Sequence, residues 1–289
     1  MNKIEINKEK CTKCRLCVND CLTSCIGTDE EGYPFLKLSN NCIECQHCFS
    51  ICPSGALSFN NISPDETENI DLNGDLLSLI KSRRSIRKYK QQEIDADTMQ
   101  KLKGMLPYIP TGCNSHKLHF SIIEKKSVME CLKDKVNSKL IKLLSSKLMN
   151  PITKKFSMYK GALEKGEDIV FRNAPHMIVV SSPITAPCAS VDPIIALSYF
   201  ELYAQSLGIG TCWCGYAEVC IKLMPEICNI IEIPEGYVPV YAMLFGYPAV
   251  KYKRIPKPAK YKISEIKDII PKSSCVFCNA KRLITNFLR

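Results

Sequence analysis

Hydrophobic positions along the chain change their period near residue 75. Before that point, apolar residues come in short alternating pieces: Lys3-Ile4-Glu5-Ile6, Phe35-Leu36-Lys37-Leu38 and Ala56-Leu57-Ser58-Phe59. Period-two alternation is the pattern of half-buried strands. The polar stretch Asn60–Asn69 has no apolar period and reads as a linker. From Asp75 onward, Leu76, Leu77, Leu79 and Ile80 take helical spacing, and the predicted helix runs into Ser82–Tyr89. The pattern then predicts a helix near Asp97–Leu106, a strand near Leu118–Glu124 and a Lys-rich amphipathic helix over about 127–148. The run His176-Met177-Ile178-Val179-Val180 predicts a buried strand, and Val238–Phe245 another. Asp192 followed by Pro193 signals an N-cap and first turn for a helix reaching Leu207, with Gly208 as its stop. Strands and helices alternate, so an α/β or α+β domain is expected after the linker. The expected division is a domain over 1–60, a linker over 61–74 and a second domain over 75–289.

Cysteine usage sharpens this outline. The chain has 18 cysteines in 289 residues, and nine of them fall in the first 52. They form two runs, Cys11-x2-Cys14-x2-Cys17-x3-Cys21 and Cys42-x2-Cys45-x2-Cys48-x3-Cys52-Pro53. This is the spacing of bacterial two-cluster ferredoxins, present twice. Three thiolates two residues apart wrap one cubane, while the fourth, three residues on, points to the other. One [4Fe–4S] cluster is therefore expected on Cys11, Cys14, Cys17 and Cys52, and a second on Cys42, Cys45, Cys48 and Cys21. Zinc sites usually show pairs of cysteines rather than two quartets of one period. Leu22 follows Cys21 where the ferredoxin pattern usually has Pro. Cys25 is a ninth thiol, expected to serve as a buried hydrophobe, and His47 as a surface or supporting residue. The pairs Cys212/Cys214 and Cys275/Cys278 are read as buried small residues and an ordinary C-terminal pair, with redox, gating or metal roles as the alternatives.

The formal charge of +10 invites a nucleic-acid reading. Two clusters with their thiolates and one bound phosphate group, each about −2, bring the loaded protein to about +4. The basic excess then serves bound anions, and no nucleic-acid partner is expected. No apolar run is long enough to cross a bilayer, and Met1–Glu5 has no signal-peptide character, so a cytoplasmic protein without a membrane partner is expected.

Arg83-Arg84-Ser85-Ile86-Arg87-Lys88-Tyr89 puts three arginines and a serine at a helix end, a set of donors suited to phosphate. This segment resembles the opening of the nitroreductase family, FMN enzymes with a three-layer fold. Pro110-Thr111-Gly112-Cys113-Asn114 resembles the family's loop that reaches the flavin across a dimer interface, with His116-Lys117-Leu118 where the family commonly has Gln-Pro-Trp. Ala204–Tyr216 is similar to the stretch that runs over the isoalloxazine, where Trp213, Cys214 and Gly215 would sit. Phe245-Gly246-Tyr247-Pro248, followed by Lys253 and Arg254, resembles the terminal strand and the basic residues that close on the phosphate. The resemblance spans roughly Asp75 to Pro258.

It implies FMN held by Arg83, Arg84, Ser85, Arg87, Pro110, Thr111, Gly112, Asn114, Trp213, Cys214, Gly215, Lys253 and Arg254, in a homodimer. Fold class is then α+β: a two-cluster ferredoxin-like domain followed by a nitroreductase-like α/β/α domain. Clusters pass single electrons and flavin handles one or two. The expected function is an oxidoreductase passing electrons from the clusters to FMN and on to a nitroaromatic or quinone-like acceptor. Ferredoxin or NAD(P)H would be the donor, and the cell an anaerobe. Alternatives that keep the motifs are an ene-reductase, a dehalogenase, a flavin-consuming biosynthetic enzyme, or a carrier or redox sensor without turnover. No side chain is expected to be an obligatory acid or base. The substrate pocket is expected to draw on the stretch Met149–Asp168.

Overall fold

The computed structural model describes residues 4–21, 23–44, 46–66, 76–145, 156–250 and 261–267. The chain divides into two compact units, Met1–Ile255 and Pro256–Arg289. In the second, the described stretch 261–267 carries neither helix nor strand. All elements below belong to the first.

The N-terminal segment is built twice at an offset of 31 residues, from Cys11 to Cys42 and from Cys21 to Cys52. Short helices α1 (Leu16–Asn19) and α2 (His47–Ser50) follow at that offset, as do strands β2 (Ile26–Thr28) and β4 (Leu57–Phe59). β1 (Ile4–Ile6) pairs antiparallel with β4, and β2 with β3 (Pro34–Leu36). Three of these strands follow the alternating pattern. β2 escapes it because Ile26-Gly27-Thr28 offers one strong hydrophobe only. The core here is Ile4, Cys17, Cys25, Ile26, Cys48, Leu57 and Phe59. Thiols make up three of those seven side chains, so the segment has little apolar material of its own.

Helix α3 (Leu76–Ser82) opens the larger part. Its sheet has the order β5-β6-β8-β7, from β5 (His119–Ile123), β6 (His176–Pro183), β7 (Gly210–Trp213) and β8 (Tyr237–Gly246). Every pairing is antiparallel, with Ile178 opposite both Ile122 and Met243. That decides between the two classes the alternation allowed: the domain is α+β. Along β6, Ile178 and Val180 face one core with Met99 and Leu102 of α4 (Ala96–Gly104). Leu197 and Phe200, from α7 (Asp192–Ser206), complete that core. Met177 and Val179 face the other core, with α5 (Lys126–Ser145), α6 (Lys160–Glu164), α8 (Gly215–Leu223) and α9 (Glu226–Ile230) on that side of the chain order. Leu132, Val136, Leu140, Phe156 and Ala217 fill it. A strand covered on both faces reads as a continuous apolar run, which is what 176–180 is.

His176 opens β6 fully buried. Its Nε2 accepts from the Ile94 amide (2.9 Å) and its Nδ1 faces the Ile123 carbonyl (3.2 Å), joining the entry to α4 with the end of β5. Asp95 caps α4 by accepting from the Thr98 amide at 2.9 Å. The cap expected of Asp192 is not made. Val191 takes the N-cap position and Asp192 is the first helical residue, its side chain turned to another task.

Candidate functional site

The two cysteine runs share an uncommon backbone. Lys13, Arg15, Glu44 and Gln46 all have left-handed φ (53°, 60°, 56° and 59°), and they are two pairs at the 31-residue offset. Side-chain-bearing residues adopt this region at a cost of about 1–2 kcal/mol each. Alternating hand along successive residues turns several amides toward one concavity, an arrangement suited to a bound anion or iron–sulfur group. Cys11, Cys14, Cys17 and Cys52 surround a single cavity, lined also by Ile6, Val18, Ala56 and Leu57. These are the four residues that the spacing groups together, Cys52 of the second run included. Among the described residues, no three Cys, His, Asp or Glu side chains converge as a single metal ion requires. The four cysteines line one cavity instead. For the second quartet, Cys48 is buried, with Cys21 and Cys42 packed against the same small core. Cys45 and the side chain of His47 lie outside the described residues.

Arg83–Tyr89 follows α3 as an extended strip on the sheet's edge. Ser85 bridges Thr211 of β7, Ile86 donates to the Thr211 carbonyl (2.7 Å), and Tyr89 bridges Pro248. The approach is close enough that a Cβ on Gly210 would stand 2.6 Å from Ile86 Cγ1. Alternation along the strip divides its donors. Ser82, Arg84 and Ile86 line a cleft with Gly208, Gly210 and Pro248, while Arg84 donates to the Arg83 carbonyl. Arg83 turns to α7, where its Nη1 meets Glu201 Oε1 at 3.1 Å. Arg87 is exposed.

Glu201 carries no sequence signal of its own, yet it is the hub of this region. Its side chain is 8% exposed. Besides Arg83, it accepts from Thr211 Oγ1 (3.3 Å) and from Trp213 Nε1 (3.1 Å). One carboxylate thus fixes two of the expected flavin contacts, Arg83 and Trp213, together with Thr211 of β7. A Glu buried on an apolar helix needs such partners, because an unpaired charge there is costly.

Trp213 also packs edge-to-face on Tyr241, at 5.3 Å between centroids. Cys214 is largely committed to the fold. Its amide donates to the Ala242 carbonyl (2.9 Å), and its Sγ accepts from the Ala217 amide as the cap of α8 and contacts the Val170 carbonyl. Burial pushes this thiol up to about 12, so it stays protonated at neutral pH. Cys212 is buried too, and burial likewise raises its pKa. Gly215 begins α8, and a helix leaves its first amides without intrahelical partners. Next to it Tyr216 packs against Phe156 with the rings tilted by 53° (5.1 Å between centroids) and shares a 3.4 Å hydroxyl contact with Tyr159. Part of the stretch expected to shape the substrate pocket therefore reaches the neighbourhood of Gly215. Its residues 149–155 lie outside the described residues.

Residues 110–116 stand elsewhere on the fold. Asp192, 3% exposed, accepts the Gly112 amide on both carboxylate oxygens (3.1 Å each), pinning the loop to the start of α7. Glu201 lies nine residues further along that helix, about 14 Å by helical rise. Within one chain, then, the loop and the Arg83 strip sit at different ends of α7. Cys113, Asn114 and His116 all have left-handed φ, and Thr111 Oγ1 accepts from the His116 amide (3.0 Å). Asn114 Nδ2 donates to the Ile43 carbonyl at 2.7 Å, and its Oδ1 meets His116 Nε2. Ile43 lies between two cysteines of the second run. The loop expected to touch flavin is thus tied to the loop expected to hold a cluster. Lys253, Arg254, Cys275 and Cys278 lie outside the described residues.

Comparison with known proteins agrees with this layout. Residues 80–247 match the nitroreductase family, and residues 10–57 match the 4Fe–4S dicluster domain. The chain belongs to the nitroreductase family. It is an oxidoreductase with an N-terminal iron–sulfur domain. A Methanothermobacter thermautotrophicus protein, named a candidate NADH dehydrogenase/NAD(P)H nitroreductase, is 27% identical over 179 residues, 61% of this chain and 78% of that one. A Bacteroides fragilis nitroreductase crystallised with bound FMN superposes with a TM-score of 0.53 at 22% identity, covering 67% of this chain and all of its own. A second, from Desulfitobacterium hafniense and also with bound FMN, gives 0.54 at 23%, covering 68% of this chain and all of its own. These superpositions establish the fold. Among the described residues, no helix is long and apolar enough to cross a membrane.

Proposed function

We propose that this chain passes electrons from two [4Fe–4S] clusters to FMN and on to a small organic acceptor of the nitroaromatic or quinone type. The observation that carries the reading is the Asn114–Ile43 hydrogen bond, which joins the two cofactor regions within one chain. Cys11, Cys14, Cys17 and Cys52 hold the first cluster and Cys42, Cys45, Cys48 and Cys21 the second. The cavity inside the first quartet and the repeated left-handed residues support this set. Residues 1–60 and 75–289 act as its two domains, joined by the segment between.

For FMN, Arg83, Ser85 and Arg87 supply guanidinium and hydroxyl donors to the phosphate, with Arg84, Lys253 and Arg254 adding positive charge. Gly215 offers its amide to the ring edge, beside the Trp213 and Cys214 backbone. Bound flavin supplies the exchange between one- and two-electron chemistry. The protein's part is electrostatic: cations anchor the phosphate, Glu201 keeps Arg83 and Trp213 in place, and buried Cys214 stays uncharged. Pro110, Thr111, Gly112 and Asn114 stand apart from the Arg83 strip in one chain, which supports a homodimer whose sites each draw on both subunits. Ferredoxin or NAD(P)H serves as donor, in the cytoplasm of an anaerobe.

Anaerobic reconstitution tests the reading. The chain is expected to bind about eight irons and one FMN, elute as a dimer, and reduce a nitroaromatic or quinone under steady-state conditions. A loaded dimer that turns over no acceptor in a panel of nitroaromatics, quinones and enones is a carrier instead. A monomer with FMN bound contradicts the shared site.

A further inference from the structure

Cys25 is a buried thiol that the two quartets leave without a role. Its Sγ lies 3.3 Å from Cys21 Sγ. The internal repeat supplies a control for what this position needs. At the 31-residue offset, Cys21 corresponds to Cys52, Thr23 to Ser54, Ser24 to Gly55 and Cys25 to Ala56. The two turns agree in detail. Thr23 and Ser54 each bring a hydroxyl 3.8 Å from their cysteine sulfur. Ser24 and Gly55 are both left-handed, at φ 50° and 59°. Cys25 and Ala56 are both buried, at 2% and 3% exposed. The fold therefore accepts a methyl group in this slot. At Cys25 it has a thiol instead, in contact with the ligand itself.

In both halves a backbone amide reaches the crossing sulfur, and the halves differ in the residue that follows it. Cys52 is followed by Pro53, and its Sγ accepts the Ala56 amide at 3.3 Å. Cys21 is followed by Leu22, with no ring to fix the turn. Both residues of the pair are tied to the backbone: the Cys21 carbonyl accepts from Ser24 at 2.9 Å, and the Cys25 carbonyl from Lys37 and Leu38 at 2.8 and 3.2 Å.

We propose that Cys25 is a second, interchangeable fourth ligand of the cluster on Cys42, Cys45 and Cys48. This rests on the two-cluster reading above and needs nothing from the flavin. The exchange balances without any oxidant. The iron–Cys21 bond breaks as the iron–Cys25 bond forms, and the Cys25 thiol proton passes to Cys21 across the sulfur–sulfur contact. Iron, charge and electron count are unchanged.

Iron content and the electron paramagnetic resonance of the dithionite-reduced full-length chain test it. Cys21→Ala is expected to keep about eight irons per chain and a four-iron signal from each cluster, with the second one altered in line shape. Cys25→Ala is expected to keep about eight as well, and Cys21→Ala/Cys25→Ala to lose the second four-iron signal. Cys52→Ala is the internal control, because Ala56 offers no sulfur: it loses the first four-iron signal, and Cys52→Ala/Ala56→Cys regains it. Loss of the second four-iron signal in Cys21→Ala, to the same degree as in the double variant, overturns the proposal. So does a Cys52→Ala/Ala56→Cys variant that folds but stays as poor in four-iron signal as Cys52→Ala. A wild-type chain holding only about four irons refutes the two-cluster reading itself, a different failure.

Discussion

Replacing Glu201 by Ala perturbs the hub that links α7, β7 and the arginine strip. The Trp213 Nε1–H and the Thr211 hydroxyl lose their acceptor in a region where Thr211 is 3% exposed. A hydrogen bond to a charged group contributes about 1.5–3 kcal/mol, and a buried donor left unmade carries that cost. The Arg83 pair adds less, because that guanidinium is 37% exposed and water screens it, so about 0.5 kcal/mol is assigned to it. Together the loss is about 3 kcal/mol, to be read from urea unfolding of the flavin-free chain. Glu201→Gln keeps an acceptor for Trp213 and should recover about half. FMN affinity follows the same geometry. An Arg83 no longer held in place costs about 1.4 kcal/mol, or about tenfold in Kd by fluorescence titration. A Glu201→Ala chain within about 0.5 kcal/mol of wild type, with unchanged FMN affinity, refutes the hub.

Three further outcomes follow from named contacts. In Gly112→Ala the new methyl would stand 2.9 Å from Cys188 Cβ, costing about 1–3 kcal/mol in denaturant unfolding, and Cys188→Gly in the same chain should restore most of it. Burial lowers the pKa of His176, so the folded chain prefers the neutral ring. Stability is therefore full above the unfolded value of about 6.5 and falls as pH drops below it, and His176→Gln should flatten unfolding midpoints compared between pH 7.5 and 5.5. Asn114→Ala removes the donor to Ile43, and hydrogen exchange should rise in the second cysteine run while the first is unchanged.

The sequence foretold most where chemistry imposes a fixed spacing. Cys11, Cys14, Cys17 and Cys52, grouped by their spacing, line one cavity, and the 31-residue repeat is visible in the cysteines alone. The long elements were legible for a similar reason. β6, covered on both faces, had to be apolar at every position from Met177 to Val180. What escaped depends on contacts distant in sequence. Asp192 has the composition of a cap, but its acceptors go to Gly112, 80 residues away. Glu201 meets Arg83 across 118 residues, and no local pattern encodes that meeting. Asn114 shows the same limit: the resemblance gave it a flavin, and the fold also gives it Ile43. Cys214, read from the resemblance as a cofactor contact, spends its amide and sulfur on the sheet and on α8, leaving Gly215 as the better-placed amide.

Reduction followed optically tests the proposed electron path from clusters to flavin. A reconstituted full-length chain is mixed anaerobically with a substoichiometric low-potential donor, and cluster and flavin absorbance are read together in the stopped flow. Cluster bleaching is expected first, recovering as flavin absorbance falls, and Asn114→Ala is expected to slow the second phase with the first unchanged. Clusters that stay bleached beside oxidised flavin contradict it.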